Sequence, residues 1–389
     1  MPFEFATARR IRFGVGTRHE LASAAVSMQA PGGAGRALVV TGAAAHRAAP
    51  LVDSLAAAGV TAAPMTVASE PTVAMIREGV ALAREERCGM VISIGGGSVL
   101  DAGKAVAALL AHSGDPLDYL EIVGRGQPLT QPSVPMIAVP TTAGTGSEVT
   151  RNAVLASPEH QVKASLRSAT MLPLLAIVDP ELALGLPPAI TASTGLDALT
   201  QLIEPYVSVR ANPMTDLFCV DGMRRAAEAL PHVWTNPDDL EARTGMAWAS
   251  LLGGLALANA GLGAVHGFAA PLGGMFPAPH GAACAAVLPH AMEVNIRALR
   301  ERAPNGEALR RYAEAARILT QDPHATPEDG AQWVARLCAT LQIPRLRAYG
   351  VDEAAIPALV ERAARAGSMK GNPIELTPGE LREIVARAM

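Results

Sequence analysis

Two histidines stand in a long stretch of sequence that carries no carboxylate, lysine or arginine. His266 and His280 lie between Thr244 and Met292, where Asp, Glu, Lys and Arg are all absent. A buried polar group without a partner costs roughly 1–3 kcal/mol. Imidazole is also the commonest metal ligand in proteins. The pair therefore predicts either a catalytic metal site or two histidines with partners in an ordinary core.

Further donors lie on a segment with helical periodicity, GLDALTQLIEPYVS. Asp197 and Gln201 are four residues apart, so a helix places them on one face. Glu204 follows three residues later, and its apolar neighbours would allow the carboxylate to point into a core. Taken alone, the segment favours a solvated helix face or an Asp near the beginning of the helix.

The sequence GGGSVLDAGK follows a β-branched run and begins another helical pattern. Gly96 and Gly97 let the backbone approach a ligand closely, and the positive end of a helix that begins near Ser98 favours a phosphate. The spacing is not GxGxxG, so the Rossmann fingerprint does not apply. The alternative is a tight strand-to-helix turn capped by Ser98.

A second loop, PTTAGTGSEVT, also follows a strand-like run. Its hydroxyls belong to Thr141, Thr142, Thr145 and Ser147. The carboxyl ends of parallel strands are where α/β sheets bind ligands. A polar loop of this kind is common, but two such loops after strands of one sheet favour a nucleotide pyrophosphate.

These loops require a sheet to position them, and the first half of the chain has the pattern of one. Strands are predicted at Ala37–Thr41, Thr61–Thr66, Met90–Ile94, Met136–Pro140 and Leu174–Asp179. Amphipathic helical stretches separate them. This alternation predicts an α/β domain with a parallel sheet and helices on both faces.

The second half has helical periodicity without strand-like alternation. Helices are predicted at Ile190–Glu204, Pro213–Leu230, Pro237–Ala258, Gly281–Arg297, Gly306–Leu319, Pro327–Leu341, Asp352–Ala364 and Pro378–Ala388. Nine glycines between Gly245 and Gly281 indicate a buried helix followed by a glycine-rich loop, not a membrane span. The predicted domains are residues 1–186 and an all-helical domain of residues 187–389.

Composition limits the classes of function. The 389 residues are 50% hydrophobic and 17% charged, which is typical of a folded enzyme. A net charge of −4 without a basic run gives no indication of nucleic-acid binding. The cysteines are widely spaced and form no CxxC pair, and the beginning of the chain lacks the apolar region of a signal peptide. A cytoplasmic protein is expected.

Taken together, these motifs resemble the iron-containing (group III) alcohol dehydrogenase family over nearly the whole chain. The resemblance rests on Phe13-Gly14-Val15-Gly16, GGGSVLDAGK, PTTAGTGSEVT, Lys163, AIVDPEL, GLDALT, VHGFAAPLG, PHG and Asn372-Pro373. It implies a dehydroquinate-synthase-like α/β domain that binds NADP or NAD, and an all-α domain that holds a divalent metal, usually iron or zinc. The implied reaction is reversible hydride transfer between an alcohol and its carbonyl, in at least a homodimer.

The resemblance also implies cofactor-binding residues. Those expected to hold the pyrophosphate are Gly96, Gly97, Ser98 and Asp101. Those expected to approach the phosphates and the ribose or nicotinamide are Thr141, Thr142, Thr145 and Ser147. Lys163 would contact the nicotinamide-side ribose. Metal-bearing members use one Asp and three His, matched here by Asp197, His266 and His280, with Gln201 at the second position.

Two departures from the family pattern bear on the chemistry. The amide oxygen of Gln201 is a weaker ligand than imidazole, although Asp197, His266 and His280 still form a 2-His-1-carboxylate set. Ala270 stands where many members have a histidine thought to relay protons. Proton transfer would then use another route, such as water.

The residue after the first predicted strand bears on cofactor choice. NAD-preferring members have an Asp there, which binds the ribose hydroxyls and repels a 2′-phosphate. This chain has Gly42, with His46 and Arg47 shortly after. The absence of a carboxylate and the two potentially cationic groups favour NADP over NAD.

Other functions are compatible with parts of this pattern. Phe268, Met275 and Phe276 would line a small apolar substrate pocket or pack in an ordinary core. A metal-independent reductase of the same fold, similar to maleylacetate reductases, is the main alternative. A dehydroquinate-synthase-like lyase would need basic residues around a phosphorylated substrate, and the charge-free region argues against it. A non-catalytic nucleotide binder is a third possibility.

Overall fold

The structure, a computed structural model, describes residues 2–29 and 35–389, which form two compact units. The first, here called the α/β unit, comprises Ala6–Thr142 and Ser147–Leu184. The second, the helical unit, comprises residues 2–5, Ala143–Gly146 and Gly185–Met389. The chain passes from the α/β unit into the main part of the helical unit after Leu184, a few residues beyond the last predicted strand. The short segment Ala143–Gly146 lies in the hydroxyl-rich loop PTTAGTGSEVT.

The α/β unit is built on a parallel sheet. The strands described are β1 (Ile11–Phe13), β2 (Arg36–Gly42), β3 (Thr61–Val67), β4 (Met90–Gly95), β5 (Met136–Pro140), β6 (Asn152–Ser157), β7 (Val162–Arg167) and β8 (Leu175–Val178). Six of them form the sheet in the order β1-β8-β5-β4-β2-β3, with every pairing parallel. The predicted strands all occur. The sequence pattern did not reveal the short β1 or the antiparallel β6–β7 ribbon.

Helices cover both faces of this sheet. They are α1 (Leu21–Ser27), α2 (Ala45–Ala57), α3 (Val73–Glu85), α4 (Gly97–Leu110) and the short α5 (Pro116–Tyr119). Successive side chains of a strand point to opposite faces. Leu38 and Val40 therefore share a core with Ile76 of α3, whereas Val39 packs in the other core with Leu51 of α2. The predicted parallel sheet with helices on both faces is confirmed.

The helical unit contains α6 (Pro188–Val207), α7 (Pro213–Thr235), α8 (Leu240–Ala260), α9 (Ala264–Met275), α10 (His280–Arg302), α11 (Glu307–Thr320), α12 (Pro327–Thr340), α13 (Ile356–Arg365) and α14 (Pro378–Ala388). All eight predicted helices are present, and no strand is found in the part of this unit that the structure describes. One prediction was wrong. The segment expected to be a glycine-rich loop forms α9.

Tertiary packing explains why α9 forms despite its glycines. Glycine lowers helix propensity by about 1 kcal/mol per residue, a preference that tertiary context can override. Phe268 and Leu272 are fully buried, and a Cβ on Gly267 would lie 2.8 Å from the methyl carbon of Met369. The small residues therefore let α9 pack closely. Among the described residues no single helix suits a membrane span; α8 and α9 meet the criteria only together, bent by 98°.

Candidate metal centre and cofactor loops

The candidate metal centre begins with Asp197 on α6. Its side chain is buried, and Gln201, one turn later, donates from Nε2 to Asp197 Oδ2 at 3.0 Å. The other carboxylate oxygen, Oδ1, lies 3.4 Å from His266 Nε2 and 3.7 Å from His280 Nε2. Helices α6, α9 and α10 therefore bring together the three residues that the family resemblance assigned as metal ligands.

Glu204 fixes the orientation of His266. One carboxylate oxygen, Oε2, lies 2.6 Å from His266 Nδ1, and the other accepts the Val265 backbone N–H at 2.7 Å. Because the carboxylate accepts the Nδ1 proton, Nε2 keeps its lone pair for the cluster. Glu204 is buried, so the solvated helix face favoured by the isolated segment was wrong, and its partner could not be predicted without the position of α9.

The first turn of α10 contributes two donors. Pro279 precedes the helix, His280 is its first residue, and Cys284 follows one turn later on the same face. The Cys284 Sγ lies 3.7 Å from His280 Nε2. Donor atoms of Asp197, His266, His280 and Cys284 all lie within 4.8 Å of one another. Sequence analysis did not assign Cys284, although its spacing from His280 was an available signal.

Buried polar atoms without partners converge on this cluster. Asp197 Oδ1, His266 Nε2 and Gln201 Oε1 have no hydrogen-bond partner among the described residues. Leaving a buried polar atom unsatisfied costs roughly 1–3 kcal/mol each. Carboxylate oxygen and imidazole nitrogen are good donors for iron or zinc. The residues present therefore fit a divalent metal.

Electrostatics at the cluster favour protonated histidines beside an ionised Asp197 where a metal is absent. Burial alone would lower the pKa of His266, but the Cys284 sulfur and the Asp197 and Glu204 carboxylates raise it well above its usual value. Burial alone would raise the pKa of Asp197, but His280 and His266 lower it. A metal must displace protons from the imidazoles, so metal uptake should weaken as pH falls.

Glycines allow the supporting backbone to approach the side chains of this cluster. A Cβ on Gly281 would lie 2.5 Å from the backbone oxygen of Ser193 on α6, and one on Gly263 would lie 3.0 Å from Glu204 Oε1. Asn372 Oδ1 accepts the Ala264 backbone N–H at 3.1 Å at the beginning of α9. The Asn372-Pro373 motif thus supports the segment that carries His266.

The aromatic residues considered for a substrate pocket have different environments. Phe268 is fully buried, which supports ordinary core packing for that residue. Met275 and Phe276 are only partly buried. Ala270, at the position of the missing relay histidine, is also partly buried.

The first glycine-rich loop is a strand-to-helix turn between β4 and α4. Helix α4 begins at Gly97 with Gly96 as its N-cap, so the alternative in which Ser98 caps the helix was wrong. A Cβ on Gly96 would lie 3.3 Å from Thr142 Oγ1, and the Thr141 N–H donates to the Gly95 carbonyl at 3.0 Å. The two predicted cofactor loops therefore meet at the ends of β4 and β5.

The carboxylate of Asp101 has protein partners on both oxygens. Ser147 Oγ donates to one at 2.5 Å, and the Val154 N–H donates to the other at 2.8 Å. Lys104 Nζ lies 3.1 Å from Asp101 Oδ1. Asp101 thus connects α4 to the second loop and to β6. Lys163, on β7, forms an ion pair with Glu70 at 2.5 Å.

The other residues predicted to bind the cofactor are Thr145, in the helical unit, and Gly42, in the α/β unit. Thr145 belongs to the piece Ala143–Gly146 of the helical unit, where a Cβ on Gly146 would lie 2.5 Å from the Gly254 Cα. Gly42 ends β2. Arg47 donates from Nη2 to the Leu182 and Leu184 carbonyls at 3.1 and 2.6 Å, which weakens its assignment to a 2′-phosphate.

Comparison with known proteins agrees with these features. The family described as iron-containing alcohol dehydrogenase matches residues 8–180, and the C-terminal part of the Fe-containing alcohol dehydrogenase family matches residues 191–389. The chain is 38% identical over 328 residues to 1,3-propanediol dehydrogenase of Citrobacter freundii, covering 83% of this chain and 81% of the relative.

Two solved structures extend the comparison to the whole fold. A crystal structure of 1,3-propanediol oxidoreductase superimposes with a TM-score of 0.90 at 34% identity, covering 100% of both chains. Sulfoacetaldehyde reductase from Bifidobacterium kashiwanohense in complex with NAD+ has a TM-score of 0.86 at 30% identity, covering 99% of this chain and 98% of the other.

The chain belongs to the iron-containing alcohol dehydrogenase family. Members of this family are NAD(P)-dependent alcohol dehydrogenases that use a divalent metal. The fold and the class of enzyme expected from the sequence are confirmed. In this iron-containing alcohol dehydrogenase, Asp197, His266 and His280 form the cluster described above.

Proposed function

We propose that this enzyme catalyses reversible, metal-assisted hydride transfer between a small alcohol and NADP or NAD. The observation that carries the proposal is the convergence of Asp197 Oδ1 and His266 Nε2, both buried and without hydrogen-bond partners among the described residues, beside His280 Nε2. Iron or zinc bound there would supply Lewis-acid stabilisation of the alkoxide form of the substrate.

The protein's own groups prepare this chemistry in three ways. Asp197, His266 and His280 supply the donor atoms, and Glu204 keeps His266 in the tautomer that can bind. The uncharged stretch from Thr244 to Met292 excludes competing charges, and low polarity strengthens electrostatic interactions within the site. A bound oxidised nicotinamide would accept the hydride from the alcohol carbon. Ala270 offers no ionisable side chain, so the hydroxyl proton would leave through water.

We assign the cofactor phosphates to the paired loops of the α/β unit. The first N–H groups of a helix have no intrahelical acceptors and attract anions. Gly97 and Ser98 occupy that position in α4, and Gly96, Thr141 and Thr142 are adjacent. We also propose that Thr145 approaches the phosphates and the ribose or nicotinamide, and that Lys163 contacts the nicotinamide-side ribose. Asp101 does not contact the phosphates in this proposal, since a carboxylate would repel them. Instead, its hydrogen bond with Ser147 holds the second loop against α4.

NADP is the proposed cofactor, with NAD as the alternative. The support is Gly42 at the end of β2, where a carboxylate would repel a 2′-phosphate. Arg47 donates to backbone carbonyls and so adds little to this support. The preference for NADP therefore depends on Gly42 and the exposed His46. Titration with NADPH and NADH, monitored by binding, should give the lower dissociation constant for NADPH.

A metal-independent reductase is the second candidate. The observation that favours it is Gln201, whose amide nitrogen faces Asp197 at a position where the resemblance expects a metal-binding histidine. Turnover that persists after chelation would support this alternative.

The test combines turnover with elemental analysis. Chelated enzyme should oxidise NADPH poorly with a panel of small aldehydes, and iron or zinc should restore the rate. His266→Ala should abolish that restoration, whereas His324→Ala, on an exposed turn, should retain it. Undiminished turnover without detectable metal would reject metal assistance. Cofactor binding without turnover under any metal would reject the dehydrogenase proposal.

Assembly and location complete the proposal. We infer a homodimer or a higher homo-oligomer from the family resemblance, which sedimentation would test. The four cysteines are free and buried, which is compatible with a reducing cytoplasm.

A further inference from the structure

Cys284 lies in the metal cluster without an assigned role. Its side chain is fully buried, and its Sγ lies 3.7 Å from His280 Nε2. The same sulfur is within 4.8 Å of the donor atoms of Asp197 and His266. Cys284 and His280 occupy one face of the first turn of α10, so a single helix presents both atoms to the same point.

The spacing of the donor atoms suits a single ion. Bonds of about 2.0–2.3 Å to nitrogen, oxygen and sulfur place the donors of a tetrahedral site about 3.3–3.8 Å apart. The Asp197–His266, Asp197–His280 and Cys284–His280 separations are 3.4, 3.7 and 3.7 Å. The sulfur therefore lies at a suitable distance from His280, and it is within 4.8 Å of the donor atoms of Asp197 and His266.

Besides Cys284, Gln201 is the residue beside the cluster that could supply a fourth donor atom to a metal. It presents a neutral amide, and its Nε2 is committed to Asp197 Oδ2 at 3.0 Å. Its Oε1 has no partner among the described residues, but an amide oxygen binds zinc less strongly than a thiolate does. A thiolate is also a softer ligand, and softness favours zinc over iron.

The environment of Cys284 differs from that of the neighbouring Cys338. The Cys338 Sγ donates to the Ala285 carbonyl at 3.5 Å and belongs to no candidate metal cluster in the described part of the chain. This difference makes Cys338 a matched control, since it lies on α12, packed against the same helix α10.

We propose that the Cys284 thiolate is the fourth protein ligand, and that the resulting site of one aspartate, two histidines and one cysteine binds zinc. The inference rests on the proposed metal site and deepens it. The Asp197, His266 and Cys284 side chains are buried, whereas the His280 side chain is 35% exposed. With four protein ligands, the substrate oxygen would enter as a fifth ligand from the side of the partly exposed His280.

Cobalt(II) provides the test, because a thiolate bonded to cobalt gives an intense near-ultraviolet charge-transfer band and nitrogen or oxygen ligands do not. The full-length enzyme is stripped with a chelator and loaded with one equivalent of cobalt(II). We expect the band in the wild-type protein, in Cys338→Ser and in Gln201→Ala. Cys284→Ser should lose the band and bind zinc at least about tenfold more weakly.

The outcomes separate this inference from the proposed function. A wild-type protein that holds cobalt without the band overturns ligation by Cys284 and leaves metal-assisted hydride transfer in place. A band that persists in folded Cys284→Ser overturns it as well. Failure to bind cobalt or zinc overturns the metal site itself, while dehydrogenase turnover is measured separately. The wild-type spectrum remains decisive if Cys284→Ser does not fold.

Discussion

At the proposed metal site, the hydrogen bond between Glu204 and His266 determines which ring nitrogen is free to bind a metal. In Glu204→Gln, the amide oxygen can accept the Val265 N–H, but the amide nitrogen then faces His266 Nδ1. The ring must move its proton to Nε2, the atom that points at Asp197. We expect zinc affinity to fall by about 10- to 100-fold, as measured by competition with a chromophoric chelator.

The control for this prediction is Glu314→Gln, because Glu314 is a carboxylate of the same unit that accepts the Tyr206 hydroxyl at 2.6 Å. That variant should keep its zinc affinity. Equal zinc affinity in Glu204→Gln and the wild-type protein, with unchanged thermal stability of the metal-free proteins, would show that Glu204 does not position the ligand.

Residue types alone predict part of the site. His266 and His280 stand out by residue type in a charge-free stretch, whereas Asp197 was assigned through the family resemblance. Cys284 and the link from Glu204 to His266 could not be predicted, because both depend on how α9 and α10 pack against α6. The sequence identifies candidate donor residues, but the tertiary packing of the helices determines which donor atoms lie close together.

At the scale of elements, close helix packing sets the geometry of the metal centre. A Cβ on Gly281 would lie 2.5 Å from the Ser193 carbonyl oxygen, a backbone atom that cannot rotate away. Gly281→Ala should push α10 away from α6 and separate His280 from Asp197. We expect a loss of roughly 1–3 kcal/mol in the free energy of unfolding and weaker zinc binding, measured by denaturant titration and chelator competition.

Gly367→Ala is the matched control, since a Cβ on the exposed Gly367 would meet nothing within 4 Å. Its stability and zinc affinity should stay near those of the wild-type protein. Gly281→Ala with wild-type zinc affinity would mean that the contact between α6 and α10 does not set the ligand spacing.

Elements with strong periodicity could be predicted, and those that depend on contacts could not. Every predicted strand of the parallel sheet and every predicted helix of the helical unit is present. Helix α9 was missed because its glycines and Pro271 indicate a loop, whereas burial of Phe268 and Leu272 stabilises the helix. Strand β1, with only Ile11–Phe13, is too short to show alternation.

For the molecule as a whole, the buried Glu148 and the partly buried His290 should give opposing pH dependences of stability. Burial raises the pKa of Glu148 from 4.5 to about 7, against the lowering effects of a backbone hydrogen bond and Lys104. Burial, with Arg387 and Arg345, lowers the pKa of His290 from 6.5 to about 4. Glu148 binds its proton more tightly when folded, so its contribution to stability is present below pH 4.5 and is lost as pH rises through 7.

The contribution of His290 has the opposite sign. The unfolded chain binds that proton more tightly, so stability is lost as pH falls from 6.5 towards 4. The two windows overlap, and the total stability of the wild-type protein therefore does not isolate either group. The difference between the wild-type protein and a variant at one position does.

Glu148→Gln should remove the loss of stability that accompanies deprotonation of Glu148. Relative to the wild-type protein, its free energy of unfolding should rise by up to about 3 kcal/mol as pH increases from about 4.5 to 7. Denaturant titrations of chelated proteins at several pH values measure this difference. Glu159→Gln, at an exposed position of the α/β unit, serves as the control and should follow the wild-type profile. A constant difference between Glu148→Gln and the wild-type protein across this range would show that Glu148 does not titrate in the window.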